Sequence, residues 1–378
     1  LHDALPICKL AAASSIGTAL EWYDFTVYNI MAALIFNHVF FPSFDPLVGT
    51  ILAFSTYAVG YVSRPIGGIV FGHLGGVLGR RFVLVTTLVI MGVTTALMGL
   101  LPGYASWGIW SPLLLVTLRF IQGIALGGEW AGAVLLSMEH GKPHQRGRNA
   151  SFAQVGPSCG SLIGTGLITL VTLAMSADDF QQWGWRIPFL LSLVLVIFGL
   201  WLRRGVGETP AFLQLEASKD VTQSPIREVF TQHMRPLLIA GGSRIGSDVL
   251  YALVVVFTLT YVTTVLNLPR PLALGATMLG AIGNAVAVPL FGALSDRFGR
   301  RPVYIGGALA AIAWAFAFFV LLDSSQPVLI CMAVVIGLLI HAAMYGPQAA
   351  FITEQFPTRV RYAGSSLAYT LAGIIGGG

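Results

Sequence analysis

Glu21 and Asp24 stand three residues apart inside an apolar run from about residue 14 to 41, which puts both carboxylates on one helix face. Two carboxylates held close together away from water resist double ionisation, so one of them is suited to take up and release a proton. Asp24 is the sharper candidate; the other reading is a structural pair held by an arginine on another helix. Arg119, about seven residues into a later apolar run, keeps its charge and offers a planar fork that fits a carboxylate. It is expected to bind Asp24, an anionic solute, or each in turn, unless it serves a purely structural ion pair. Gln122, one turn on, sets a neutral donor and acceptor beside it, and Glu129 lies nearer the end of the same run as a gate or a packing charge.

Arg244 and Asp248 are four residues apart and either neutralise one another on one helix or, since Asp248 falls at the repeat position of Asp24, lie by the cavity as substrate or coupling groups. His341 is alone in its apolar run; an imidazole there is either hydrogen-bonded filling or, since its ordinary pKa lies near neutrality, a ligand for a proton or a solute. Tyr28 and Tyr251 are hydroxyl partners for the nearby acids or aromatic packing, and Arg64, before Pro65, either reaches back toward the membrane surface or faces the interior. An ionisable side chain at bilayer depth costs about 2.5–3.5 kcal/mol, so each of these groups calls for a partner or a water-filled space.

The elements that position them are membrane spans. Of 378 residues, 56% are hydrophobic and 10% charged, against about a quarter charged in an ordinary soluble domain. The apolar residues fall in runs near 14–41, 50–72, 82–101, 112–138, 149–176 and 186–202, then 237–266, 272–294, 302–322, 327–352 and 362–378. Each full run has the roughly 20 residues that cross a hydrocarbon core as helix. Sixteen of the 21 Lys and Arg residues lie in alternate connections on the side of the N-terminus, which places that side in the cytoplasm. The net charge of +5 therefore reads as a topology signal, and no nucleic-acid partner is expected. Cys8, Cys159 and Cys331 are scattered, with no metal or redox spacing. There is no nucleophile beside a base and no nucleotide-binding loop, which speaks against a membrane-embedded enzyme and an ATP-driven pump.

The chain repeats itself at an offset of about 220 residues. Gly72-His-Leu-Gly-Gly-Val-Leu-Gly79-Arg80-Arg81 returns as Gly292-Ala-Leu-Ser-Asp296-Arg297-Phe-Gly299-Arg300-Arg301. Gly17 and Asp24 match Gly241 and Asp248, and Glu139 with Arg146 resembles Glu354 with Arg359. Two related six-span halves produce such a register, and a cleft between them is the geometry of alternating access. The paired Glu and Arg residues at equivalent helix ends are expected to bridge to the Arg-rich loops while that side is shut. Gly156, Gly160 and Gly164 give the close-packing spacing of small residues. The domain plan is a tail at 1–13, a six-helix bundle at 14–202, a cytoplasmic linker at 203–236 and a second, incomplete bundle at 237–378. Residues 1–8 look foreign to the natural chain, and the last run looks cut short.

Glu21-Trp-Tyr-Asp24-Phe, the Gly-rich loop at 72–81, Arg119-Phe-Ile-Gln122-Gly123, Gly127-Gly128-Glu129-Trp130, Trp183-Gly-Trp-Arg186-Ile-Pro188, Glu208-Thr-Pro210 and Phe356-Pro-Thr-Arg359-Val-Arg361-Tyr-Ala-Gly364 together carry a resemblance. With these motifs the chain, from about Ile16 onward, resembles the major facilitator superfamily and, within it, the metabolite:proton symporters for shikimate, alpha-ketoglutarate, citrate and proline/betaine. The resemblance implies an all-α membrane protein of two pseudo-symmetric six-helix bundles. It also implies a secondary transporter that carries a small polar metabolite, such as a carboxylate, with a proton by alternating access. An osmolyte or zwitterion carrier is the rival within transport; an enzyme or a transporter-like sensor is the rival outside it. No cofactor is expected besides the proton as coupling ion. The partners are a small solute and the lipid bilayer, the state monomeric, and the location a bacterial inner membrane. Gly76 and Val77 depart from the usual Asp and Arg of the first Gly-rich loop, which implies a weaker latch in that half.

Overall fold

The computed structural model describes residues 7–43 and 46–376. Among these the apolar runs become eleven long helices. In the first half they are α1 (Ile7–Met31, continued by a π segment at Ala32–Phe36), α2 (Pro46–Val77), α3 (Arg80–Leu100), α4 (Trp110–His140), α5 (Gly156–Ala174) and α6 (Arg186–Arg204). The second half holds α7 (Met234–Ala252, continued by π segments at Leu253–Phe257 and Tyr261–Val265), α8 (Arg270–Phe298), α9 (Arg300–Asp323), α10 (Pro327–Glu354) and α11 (Arg361–Gly376). There is no β-strand among the described residues. α3 to α10 are each long and apolar enough to cross a membrane. Large apolar side chains on their outer faces, such as Leu173 at 80% and Phe316 at 78% exposure, suit a lipid surround.

Sequence punctuation sets the ends. α10 starts on Pro327, whose missing N–H costs nothing in a first turn. α3 and α9 each begin directly after a glycine with positive φ, Gly79 at 99° and Gly299 at 94°, so the repeated Gly-Arg-Arg is a tight reversal that other residues resist. α1 and α5 touch through their backbones: a Cβ added at Gly160 would lie 2.1 Å from the Ala19 carbonyl oxygen. The small-residue spacing in this helix therefore serves close packing.

Each half has its own apolar core, around Phe36, Trp185 and Phe189 in the first and around Val254, Phe318 and Leu338 in the second. A third core belongs to both halves, joining Phe71, Val83 and Trp130 to Phe356, Tyr362 and Tyr369 at the end that carries the Arg-rich loops.

Two boundaries differ from the sequence reading. Residues 7–13 of the expected tail are the first turns of α1, with Leu10 and Ala13 buried, because their apolar face continues that of the helix; residues 1–6, and Gly377 and Gly378, lie outside the described residues. Arg203, read as part of the connecting segment, is in α6 and 3% exposed, since a buried carboxylate awaits it there. The connection itself carries two short helices, Pro210–Ala217 and Pro225–Gln232.

Candidate coupling and substrate site

Asp24, on α1, is 2% exposed and faces α3 and α4. Its Oδ2 accepts from the Thr95 hydroxyl at 2.7 Å and from Gln122 Nε2 at 3.1 Å. Its Oδ1 is buried without a hydrogen-bond partner. Gln122 Nε2 also donates to Thr95 Oγ1 at 2.6 Å, and Gln122 Oε1 accepts from the Arg119 guanidinium. Arg119 is 1% exposed, its guanidinium carbon 4.6 Å from the Phe25 ring centre and 4.3 Å from that of Tyr28. The Tyr28 hydroxyl is bonded to Thr56 of α2. A relay thus runs Arg119, Gln122, Asp24 within the first bundle.

Glu21 has a different partner from Asp24. It is paired with Arg64 of α2 at 2.9 Å, and that guanidinium lies 4.5 Å from the rings of Phe25 and Tyr61. One turn of helix is enough to aim the two acids at different neighbours, one at a cation and one at neutral donors.

Glu129 is separate again. It pairs with Arg203 at 2.6 Å and accepts from the Thr87 hydroxyl, at 0% exposure. It belongs to the packing of α3, α4 and α6, one of the two places the sequence left open for it. Arg244 and Asp248 form the expected pair on α7 at 2.8 Å, and Arg244 also donates to the Tyr369 carbonyl of α11, with its guanidinium carbon 3.4 Å from that ring's centre. Asp248 occupies the repeat position of Asp24, yet its partner is on its own helix.

His341 is 3% exposed, between Tyr345 and Tyr251, with ring centres at 4.9 and 5.3 Å. Asn284 Nδ2 donates to the Leu338 carbonyl at 2.7 Å and lies 3.1 Å from His341 Nδ1. A carbonyl oxygen only accepts, so the amide nitrogen must face it; Nδ1 then accepts, and the imidazole is neutral with its proton on Nε2. In that state Nε2 is a hydrogen-bond donor.

Between the halves lies a cavity of about 170 Å³, lined by Ser158, Ser161 and Thr165 of α5, Tyr251 of α7, and Thr277 and Asn284 of α8 among others. None of Glu21, Asp24, Arg119 and Gln122 lines it. Arg119 packs against Gly60 of α2.

The Arg-rich end is shut. Asp296 of α8 accepts from the backbone N–H groups of Gly147 at 2.8 Å and Arg148 at 2.9 Å, across the two halves, while Arg300 holds it at 2.7 Å. Glu139 of α4 meets Arg361 at 3.3 Å and Arg80 at 3.7 Å; Glu354 meets Arg300 at 3.1 Å. The glutamates therefore bridge to the Arg-rich loops as expected. Arg146, Arg81, Arg297 and Arg301 are exposed, and Arg359 turns to Glu228 at 2.7 Å. Tyr362 and Ser366 of α11 donate to the carbonyls of Gly128 and Gly127 in α4, both at 2.7 Å. Trp130 stacks on Tyr369 with ring centres 3.9 Å apart.

The Major Facilitator Superfamily model matches residues 14–378. The chain belongs to the Major Facilitator Superfamily. Within that superfamily it is 40% identical over 373 residues to the inner membrane metabolite transport protein YhjE of Escherichia coli, covering 97% of this chain and 85% of the relative. It is 39% identical to the Shikimate transporter of the same organism, covering 98% and 85%. Its fold matches the proton:xylose symporter XylE bound to 6-bromo-6-deoxy-D-glucose with a TM-score of 0.75 at 19% identity, over 97% of this chain and 86% of that one. The chain is thus a multi-pass inner-membrane transporter that binds a small metabolite, and its relatives are carriers, not enzymes.

Thr95 and Asn284 carry much of this geometry and were not picked out from sequence. Thr95 gives no signal, being one hydroxyl among several in an apolar run; Asn284, an amide within a span, could have been flagged because a polar group in lipid needs a partner.

Proposed function

We propose that this transporter carries a small carboxylated metabolite inward together with a proton, and that Asp24 is the proton site. One observation supports this most: Asp24 is buried, its Oδ2 met by two neutral donors and its Oδ1 by none. A buried carboxylate without an ionic partner is costly while ionised, and a proton removes that cost. Arg119 is one side chain away through Gln122, so a substrate carboxylate that takes the Gln122 place on the guanidinium changes the donors around Asp24. That links solute and proton without a cofactor. The identity to the shikimate carrier favours a hydroxylated monocarboxylate as the solute. The excess of Lys and Arg on alternate loops supports a cytoplasmic N-terminus and makes the closed Arg-rich end the inner gate.

The energetics fix a signature. One net charge gains about 2.3 kcal/mol per 100 mV, whereas a monoanion carried with one proton is neutral and follows the pH difference alone. Uptake of labelled shikimate, alpha-ketoglutarate and betaine into vesicles, with pH and voltage gradients imposed separately, tests both parts. Shikimate accumulation driven by pH and indifferent to voltage is the expected result. Accumulation with neither gradient, or betaine as the only substrate, would overturn it.

A further inference from the structure

The departure at Gly76 has a structural counterpart in the connection between the halves. In the second half the latch is a carboxylate, Asp296, which holds the backbone of the segment after α4. At the repeat position in the first half there is no side chain, and the short helix Pro225–Gln232 fills the space instead. A Cβ added at Gly76 would lie 3.0 Å from Pro225 Cγ, and one at Gly72 would lie 3.2 Å from Ile226 Cδ1 and 3.3 Å from Ala363 Cα. Gly72 and Gly76 are one turn apart, so together they give α2 a smooth strip that accepts this helix and the start of α11. Val229 is completely buried and is part of the core that both halves share.

On its opposite side the helix is clasped to the second half. Glu228 is paired with Arg359 at 2.7 Å, and Asp220 stands 3.8 Å from the same guanidinium. His233, the only residue between this helix and α7, lies 3.8 Å from Glu228. Arg80 completes the region by donating to the Thr358 carbonyl at 3.2 Å.

The structure assigns the Pro225–Gln232 helix as the latch of the first half: a detachable wedge, clasped to the second half by Glu228–Arg359 and seated on the Gly72/Gly76 strip of α2, standing in for the carboxylate that Asp296 provides in the other half. Opening the Arg-rich end parts α2 from α11, so the wedge must leave one of its two seats. Its tether to α7 and its ion pair keep it with the second half, and the glycine strip is the seat it leaves. The latch is therefore apolar on one side and ionic on the other, and weakening either side favours the open state. It does not depend on which solute is carried.

The test reads conformation, not uptake. Spin labels at Leu78→Cys and Phe298→Cys, exposed sites in the equivalent loops of the two halves, report the separation at this end by pulsed dipolar spectroscopy in a background without Cys8, Cys159 and Cys331. Glu228→Gln, which loosens the clasp, and Gly76→Val, which fills the seat without adding an acceptor, are each expected to raise the ratio of long to short distances roughly two- to fivefold, the range of a partly exposed ion pair. The charge-reversed pair Glu228→Arg with Arg359→Glu is expected to return the ratio toward that of the parent. Melting temperatures of the same proteins in detergent show that each is folded. Folded Glu228→Gln and Gly76→Val proteins with unchanged distances would overturn the proposal, as would an ion-pair reversal that opens this end further.

Discussion

Gln122 stands between Arg119 and Asp24, accepting from the guanidinium with Oε1 and donating to Asp24 Oδ2 with Nε2 at 3.1 Å. The two charged groups communicate through an amide that can change sides by rotating. A direct ion pair would hold both groups in the ionised form; the interposed amide leaves each open to another partner in turn.

Asp24→Asn keeps the shape and the Thr95 and Gln122 neighbours but removes the proton site. Uphill uptake under a pH gradient is expected to vanish, whereas exchange of labelled for unlabelled solute across the vesicle persists. Retained accumulation in the variant would remove Asp24 from the coupling step.

Gln122→Leu removes an acceptor from Arg119 and withdraws one of the two donors to Asp24. A loss of about 1–3 kcal/mol of stability is expected for partners left unsatisfied in a buried site. Thermal melting in detergent measures it; transport should fall by more than the loss of folded protein explains.

Glu129 and Arg203 make a buried pair at 2.6 Å, with side chains 0% and 3% exposed. Removing one partner is expected to cost about 3–5 kcal/mol, while replacing both by apolar residues costs much less. Glu129→Ala, Arg203→Ala and Glu129→Leu with Arg203→Met, compared by melting, check this. Uptake per folded molecule in the double replacement should stay near that of the parent, because the pair lies away from Asp24.

Gly79→Ala sets a side chain at a φ of 99°, where its Cβ would fall 2.4 Å from Glu208 Oε2. That carboxylate caps α3, accepting from the Arg80 and Arg81 N–H groups at 3.1 and 3.0 Å. Strain and a displaced cap together predict a loss of about 2 kcal/mol or more. Gly108→Ala, at φ 55° with open space around it, should cost less in the same melting assay.

The spans and the repeat could be read from the sequence because lipid enforces both: every crossing must be helical and apolar, and a duplicated loop keeps its Gly-Arg-Arg turn. The identities of the buried polar groups were equally legible, since a charge in an apolar run stands out. Their partners were not. Whether Glu21 meets Asp24 or Arg64 depends on how α2 sits beside α1, and whether Arg203 is loop or core depends on Glu129, 74 residues away in sequence. The 220-residue register placed Asp248 at the position of Asp24, but an arginine four residues before it took that carboxylate, and the symmetry of the chemistry was lost while that of the backbone remained.

α1 and α7 each take a wide turn toward the far end, at Ala32–Phe36 and Leu253–Phe257. Where a helix takes on an extra residue per turn, its hydrogen-bond ladder loosens and it bends there more readily than elsewhere. Both halves thus carry a soft joint in their leading helix, on the side away from the sealed Arg-rich loops. The mouth at that end can narrow by flexing two rods at their joints while the Arg-rich ends stay locked, so the two ends of the protein need not move together.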